Sequence, residues 1–364
     1  YLSHEEIYSG VKVNSIIMLD DGKLKFRVLK KNRNEIHTKV IIGGKLTSNK
    51  GLNLPDIILD TSPLTLKDKK DLKFILKNEI DWIALSFVQK LSDVLEVKKY
   101  IKNKVSLVSK IEKPSAINEL DEIINVSDGI MVARGDLGVE LPPERVPGIQ
   151  KEIILACRIA GKPVIVATQM LESMINAPSP TRAEASDVAT AVFDGADAVM
   201  LSAETSVGKY PEEVVTQISK IIKSVEYSEM ISVPESPPKI KTNRYTTKFI
   251  CYHAAQIANE TKIAAITTLT HSGYTGFQVS SWRPHSNILV FTSNIRILCR
   301  LNLLWGVKAF YYNRSVSTDK TIQEINEIVN KKGFAKKGDM VINLASMPVK
   351  ESGMVNTLKI SEIK

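Results

Sequence analysis

Several common architectures are excluded by what this chain has little of. Its 364 residues include three cysteines, Cys157, Cys251 and Cys299, odd in number and widely separated. Such usage excludes a disulfide-stapled scaffold, and the absence of any CxxC or His/Cys metal spacing excludes the usual zinc modules. No apolar run reaches the roughly 18 residues of a membrane-spanning helix, and no signal-peptide pattern is present, so no membrane partner is expected. Aromatic residues make up 6%. Basic clusters such as Lys67–Asp71 and Lys331–Lys337 are short or interrupted, with no interleaved aromatic platform, which argues against a nucleic-acid partner. These absences point to a soluble protein of a reducing, cytoplasmic compartment.

Hydrophobic residues at 43% and charged residues at 24% are ordinary globular values and exclude disorder. The length allows two or three domains. A net charge of +9 favours the approach of phosphorylated small molecules.

From about Asp81 to Glu229, short apolar runs alternate with amphipathic helical segments. The expected strands are Trp82–Phe87, Ser106–Ile111, Gly129–Ala133, Val164–Thr168 and Ala198–Ser202. Regular βα alternation implies a parallel sheet with right-handed crossovers. The pattern Thr181-Arg-Ala-Glu184 is a capping box that opens one of the helices. Polar strand ends favour a barrel over an open sheet, but five units are too few to close eight strands. Three units are therefore expected before Tyr1.

Residues 1–52 read as a β-rich lid module, with a hairpin around Asp20-Asp21-Gly22. Residues 53–230 read as the barrel region and 231–245, rich in proline and polar groups, as a linker. Residues 246–364 repeat the alternation as a smaller C-terminal α/β domain.

Charge at the C-terminal ends of two successive buried strands is the leading functional signal. Lys110 and Glu112 end one, and Arg134-Gly135-Asp136 follow the other. Glu112 and Asp136 are hard oxygen ligands of the kind that Mg²⁺ takes in ones and twos, leaving other positions to water and phosphate oxygens. Lys110 suits charge developing on a transferring phosphoryl group or an enolate oxygen. Gly135 permits close backbone approach, and N–H groups there suit a carboxylate if a short helix begins. Thr168 ends a later strand, as a catalytic group or as a cap, and Ser202 and Glu204 end the last one, where either reads as a cap of the helix that follows. Asp21 and Lys50 are either turn residues or parts of a lid. Thr270-His271-Ser272-Gly273-Tyr274-Thr275 joins a strand to a helix, a weak phosphate signal.

The motifs Ser109-Lys-Ile-Glu112, Ser127-Asp-Gly-Ile-Met-Val-Ala-Arg-Gly-Asp-Leu-Gly-Val-Glu140, Ala167-Thr-Gln-Met-Leu-Glu-Ser-Met174, Pro180-Thr-Arg-Ala-Glu184 and Asp197-Ala-Val-Met-Leu-Ser-Ala-Glu-Thr205 together resemble the pyruvate kinase family. The resemblance implies a (β/α)₈ TIM-type barrel with an inserted β domain and a C-terminal α/β domain, assembled as an allosteric homotetramer. It implies glycolytic phosphoryl transfer from phosphoenolpyruvate to ADP, giving pyruvate and ATP. Glu112 and Asp136 would hold Mg²⁺ or Mn²⁺, with K⁺ as a further cofactor. Lys110 would stabilise the phosphoryl group and the enolate, and Thr168 would belong to the protonation path. Arg134, Gly135, Asp136, Thr168 and Ser202 would bind substrate, and Asp21 and Lys50 the nucleotide.

Two departures stand out. The first three barrel units of the family have no counterpart here, which puts the activity of this exact chain in question. Residues 270–275 replace the Thr-Lys-Ser-Gly-Arg-Ser of sugar-bisphosphate-activated relatives, so a monophosphate effector or none is expected in place of fructose 1,6-bisphosphate. The competing readings are another metal-dependent phosphoenolpyruvate or pyruvate barrel, such as a lyase of the aldolase kind, and a non-catalytic binding or oligomerisation module.

Overall fold

The computed structural model describes residues 5–32, 35–48, 50–55, 57, 62–228, 230–231, 237, 244–314, 317–347 and 354–364. Most of the expected linker, residues 232–236 and 238–243, and Asn49 of the lid segment lie outside the described residues. The chain forms two compact units, residues 1–153 with 166–169, and residues 154–165 with 170–364.

The first unit opens with a four-stranded antiparallel sheet. Its strands are β1 (Ile16–Leu19), β2 (Leu24–Lys31), β3 (Ile36–Ile42) and β4 (Leu52–Asn53), in the order β3-β2-β1-β4. The expected hairpin forms, with Leu19 opposite Leu24. Asp20, Asp21 and Gly22 all take positive φ, at 51°, 55° and 82°, which short polar side chains and glycine tolerate best. Ile17 and Val28 pack with Ile7, Val11 and Leu54 in a small core beneath the sheet.

The strands β5 (Trp82–Leu85), β6 (Ser106–Ile111), β7 (Gly129–Ala133), β8 (Val164–Ala167) and β9 (Ala198–Met200) follow one another in sheet order. All five were expected from their apolar runs, and β6 and β7 are buried along nearly their whole length. Parallel register sets Ile83 opposite Leu107 and Ile111 opposite Val132. Three strands end earlier than the apolar runs suggest, for backbone reasons. Phe87 has φ 56°, and Thr168 and Gln169 have φ 72° and 54°. A left-handed residue cannot continue a strand, so β5 and β8 stop short of Phe87 and Thr168. After β9, Ser202 leaves the strand conformation with φ −128° and ψ −101°.

The second unit contains a five-stranded sheet made of β10 (Ile263–Leu269), β11 (Asn287–Thr292), β12 (Val307–Tyr311), β13 (Met340–Ala345) and β14 (Thr357–Glu362). The order is β12-β11-β10-β13-β14, parallel except for the antiparallel edge strand β14. Apolar clusters cover both faces, one around Ile266, Ile288 and Ile342, the other around Leu289, Phe291 and Val341. Strands buried on both faces explain why these runs read as continuous and not as alternating.

The capping box at Thr181 forms as expected. Thr181 Oγ1 accepts the Glu184 N–H at 3.2 Å, and Glu184 Oε2 accepts the Thr181 N–H at 2.8 Å. Ser173 adds an N–H and a hydroxyl to the same carboxylate, at 2.7 and 2.5 Å. Burial pushes the Glu184 carboxyl up, but the bonds from Ser173 and Thr181 more than offset this and hold it below its ordinary 4.5. A carboxyl depressed in the folded state stabilises above its unfolded value and loses that contribution as pH falls through the folded one. Thr181→Ala is expected to cost about 1 kcal/mol in chemical denaturation at neutral pH. Glu184→Gln is expected to flatten the stability loss seen as the pH drops below 4.5; equal pH slopes for it and the wild type would count against this network.

Candidate functional site

Two polar groups are built on strand ends of the first unit. The period-2 geometry of β6 sends Lys110 and Glu112 to one face. Glu112 is 1% exposed, and its Oε1 lies 2.5 Å from Lys110 Nζ. Its Oε2 accepts the Phe87 N–H at 2.6 Å, while Lys110 Nζ donates to Ser86 Oγ at 3.0 Å. Lys110 and Glu112 therefore form an ion pair whose carboxylate lies away from the surface. Ser86 and Phe87 belong to this site and carried no signal beyond their position just after β5. The left-handed backbone of Phe87 is part of how its N–H reaches the carboxylate.

The second group surrounds the end of β8. A helix does begin after β7, Arg134–Glu140, with Asp136 in its first turn. The Gly135 N–H donates to Thr168 Oγ1 at 2.7 Å. A Cβ at Gly135 would stand 3.3 Å from that oxygen, so a side chain there would require Thr168 to give way by a few tenths of an ångström. Thr168 Oγ1 also donates to the Ala167 carbonyl at 2.6 Å. Arg134 Nη2 donates to the Thr168 carbonyl at 2.7 Å and to that of Gln169 at 3.3 Å, and Nη1 reaches Gln150 Oε1 at 3.5 Å. Arg134, expected to line a substrate pocket, thus braces the backbone of 168–169. A β-branched residue with φ 72° costs about 1–3 kcal/mol, and the bonds from Arg134 and Gly135 hold it there.

The Asp136 side chain makes no hydrogen bond or ion pair among the described residues. No group of three or more His, Cys, Asp or Glu residues suited to a metal occurs among the described residues. In the hairpin turn, Lys50 Nζ lies 2.8 Å from Asp20, not Asp21, and Lys23 lies 3.6 Å away. The hydrogen bond from Lys50 holds the Asp20 carboxyl below its ordinary range, and the same bond raises the Lys50 ammonium. Asp21, expected at the nucleotide, is therefore not the partner of Lys50, which pairs with its neighbour Asp20.

In the second unit, Ser202 makes no side-chain capping bond. Glu204, 2% exposed, accepts the Ser202 N–H at 2.7 Å and the Leu171 N–H at 3.3 Å. Of the two residues read as caps, Glu204 is the one that serves. Residues 270–275 form the turn between β10 and the helix Tyr274–Ser281. Thr270 Oγ1 accepts the Gly273 N–H at 3.1 Å, and Ser272 Oγ the Tyr274 N–H at 3.4 Å. Gly273 takes φ 79°. Thr275 is buried, His271 is exposed, and the Arg244 guanidinium lies 4.4 Å over the Tyr274 ring. Burial pushes the Tyr274 phenol up.

Comparison with known proteins bears on what these arrangements belong to. The family model described as "Pyruvate kinase, barrel domain" matches residues 1–215, and "Pyruvate kinase, alpha/beta domain" matches 248–361. A pyruvate kinase of Agrobacterium vitis is 44% identical over 99% of this chain and 76% of its own length. One from Methylorubrum extorquens is 41% identical over 99% and 76%. A solved pyruvate kinase from Cryptosporidium parvum superposes with a TM-score of 0.90 at 33% identity, covering 100% of this chain and 74% of that one.

Removing Lys110 would leave a buried carboxylate with no cation beside it. Lys110→Met is expected to cost about 3 kcal/mol. The Lys110→Met/Glu112→Gln double variant is expected to recover most of that loss, as read from thermal and urea unfolding.

Proposed function

This chain belongs to the pyruvate kinase family, phosphotransferases of barrel and C-terminal α/β architecture, and from that premise we propose that it transfers the phosphoryl group of phosphoenolpyruvate to ADP, yielding pyruvate and ATP. The observation that carries this reading is the Lys110–Glu112 pair, held beside Ser86 and Phe87 at the end of β6. The reaction needs a fixed cation against a charge-bearing oxygen and an anionic site for a metal, and this strand end supplies both.

A divalent cation fits the residues present. Glu112 Oε1 is buried, and what faces it is the Lys110 ammonium, a cation in contact with the carboxylate. Glu112 and Asp136 would hold Mg²⁺ or Mn²⁺, and two carboxylates are the number that leaves room for phosphate oxygens and water. The ion would neutralise charge on those oxygens. Lys110 stabilises the transferring phosphoryl group and the enolate oxygen. Thr168, whose hydroxyl is fixed between the Gly135 N–H and the Ala167 carbonyl, belongs to the path that delivers a proton to the enolate carbon. Gly135 and Asp136 line the phosphoenolpyruvate pocket, with Arg134 bracing it.

Residues 1–52 act as a lid over the nucleotide, with Asp21 and Lys50 at its edge and Asp20 holding Lys50. K⁺, a homotetramer, a cytoplasmic location and allosteric control belong to the same reading; no helix among the described residues is long and apolar enough to cross a membrane. At residues 270–275, the presence of His271 and Tyr274 where bisphosphate binders carry basic residues supports a monophosphate effector or none.

The full chain is expected to form pyruvate from phosphoenolpyruvate and ADP with Mg²⁺, and Lys110→Met to lose activity on the order of a thousandfold beyond any change in folded fraction. Glu112→Gln and Asp136→Asn should each weaken Mn²⁺ binding followed by water proton relaxation. Undiminished turnover in Lys110→Met would overturn the role given to that lysine. Titration with fructose 1,6-bisphosphate is expected to leave the substrate dependence unchanged, and tight, specific activation would reverse the reading of residues 270–275.

A further inference from the structure

A second buried carboxylate in the first unit has no part in the chemistry above. Glu140 closes the helix Arg134–Glu140 and is 5% exposed. Its Oε1 accepts from Asn53 Nδ2 at 2.9 Å and lies 2.5 Å from Lys113 Nζ. Its Oε2 is buried and has no hydrogen-bond partner among the described residues. Each contact comes from a different functional element. Asn53 ends β4, the last strand of the β1–β4 sheet, Lys113 directly follows Glu112, and Glu140 lies one helical turn beyond Asp136.

The same sheet also comes close to the same short helix at a second place. A Cβ on Gly22, at the tip of the β1–β2 hairpin, would stand 3.5 Å from Val139 Cγ1. Residues 139 and 140 are thus met by the hairpin tip and by the strand that leaves the sheet. If Glu140 served only to neutralise Lys113, it would need no amide from β4. A carboxylate so deeply buried is costly unless its bonds are made, which makes the arrangement of its partners stiff.

We propose that Glu140 is a positioning residue, a buried clamp that fixes the β1–β4 module against the two elements carrying Glu112 and Asp136. The functional consequence rests on the proposed reaction, in which that module closes over the nucleotide. The clamp itself is a statement about how the module is held.

The two can be tested separately by altering Asn53, which touches the clamp from the module side. Asn53→Asp sets one carboxylate against another. Hydrogen exchange of residues 16–53 is expected to speed about tenfold, the effect of losing one bond to a charged group. The KM for ADP should rise about tenfold while that for phosphoenolpyruvate stays within about twofold. Adding Glu140→Gln in the same chain lets an amide donate to the new carboxylate and should recover most of both changes. Asn53→Ala, which only deletes the amide, should move both readouts in the same direction by a smaller factor and serves if Asn53→Asp does not fold. Unchanged exchange in these variants, a uniform loss that tracks thermal stability, or no recovery in the double variant would each overturn the clamp. A wild-type chain that makes no pyruvate, with the exchange response intact, would overturn the proposed reaction and leave the clamp standing.

Discussion

A carboxylate withdrawn almost completely from water at the end of β6 constrains what surrounds it. Glu112, at 1% exposure, is costly to bury without a cation and at least one donor. Lys110 provides the cation, from the same strand face. The donor is the N–H of Phe87, on the neighbouring strand end, and reaching it takes a left-handed residue at a position where φ is costly. The early stop of β5 and the bond between Lys110 and Ser86 follow from that one requirement.

The end of β8 has the same logic without a carboxylate. Thr168 and Gln169 occupy backbone conformations that β-branched and long side chains rarely adopt, and such strain persists only where neighbours over-determine it. Here those neighbours are the Arg134 guanidinium on two carbonyls and the Gly135 N–H on the hydroxyl. A helix that begins at Arg134 therefore does two jobs: its first turn presents Asp136, and its first two residues hold the threonine. Its last residue, Glu140, carries a third connection toward the β1–β4 sheet.

Much of this was legible in the chain because it is local. Strands β5 to β14 follow from apolar runs, the hairpin from Asp-Asp-Gly, and the capping box from Thr181 and Glu184. Lys110, Glu112, Arg134, Gly135 and Thr168 stood out because charge or hydroxyl at the end of a buried strand is unusual. The pairings that the sequence left open have a common origin. Asp20 and Asp21 are equivalent in sequence, and only the closure of β1 against β4 brings Lys50 to the first of them. Arg134 reads as an anion binder until β8 is beside it and offers two carbonyls. Ser86, Gln150 and Asn53 carry no local mark at all.

The sequence by itself determined the element types, the strand-end positions of the reactive side chains and the family motifs, because these depend on residue period, propensity and short-range spacing. The tertiary structure decided which donor meets which acceptor: Lys110 with Ser86, Phe87 with Glu112, Gly135 with Thr168, Asn53 and Lys113 with Glu140. Those pairs join residues between 24 and 87 positions apart. Partners so distant are chosen by strand order, register and burial, and a buried polar group accepts whichever partner the packing brings within about 3 Å.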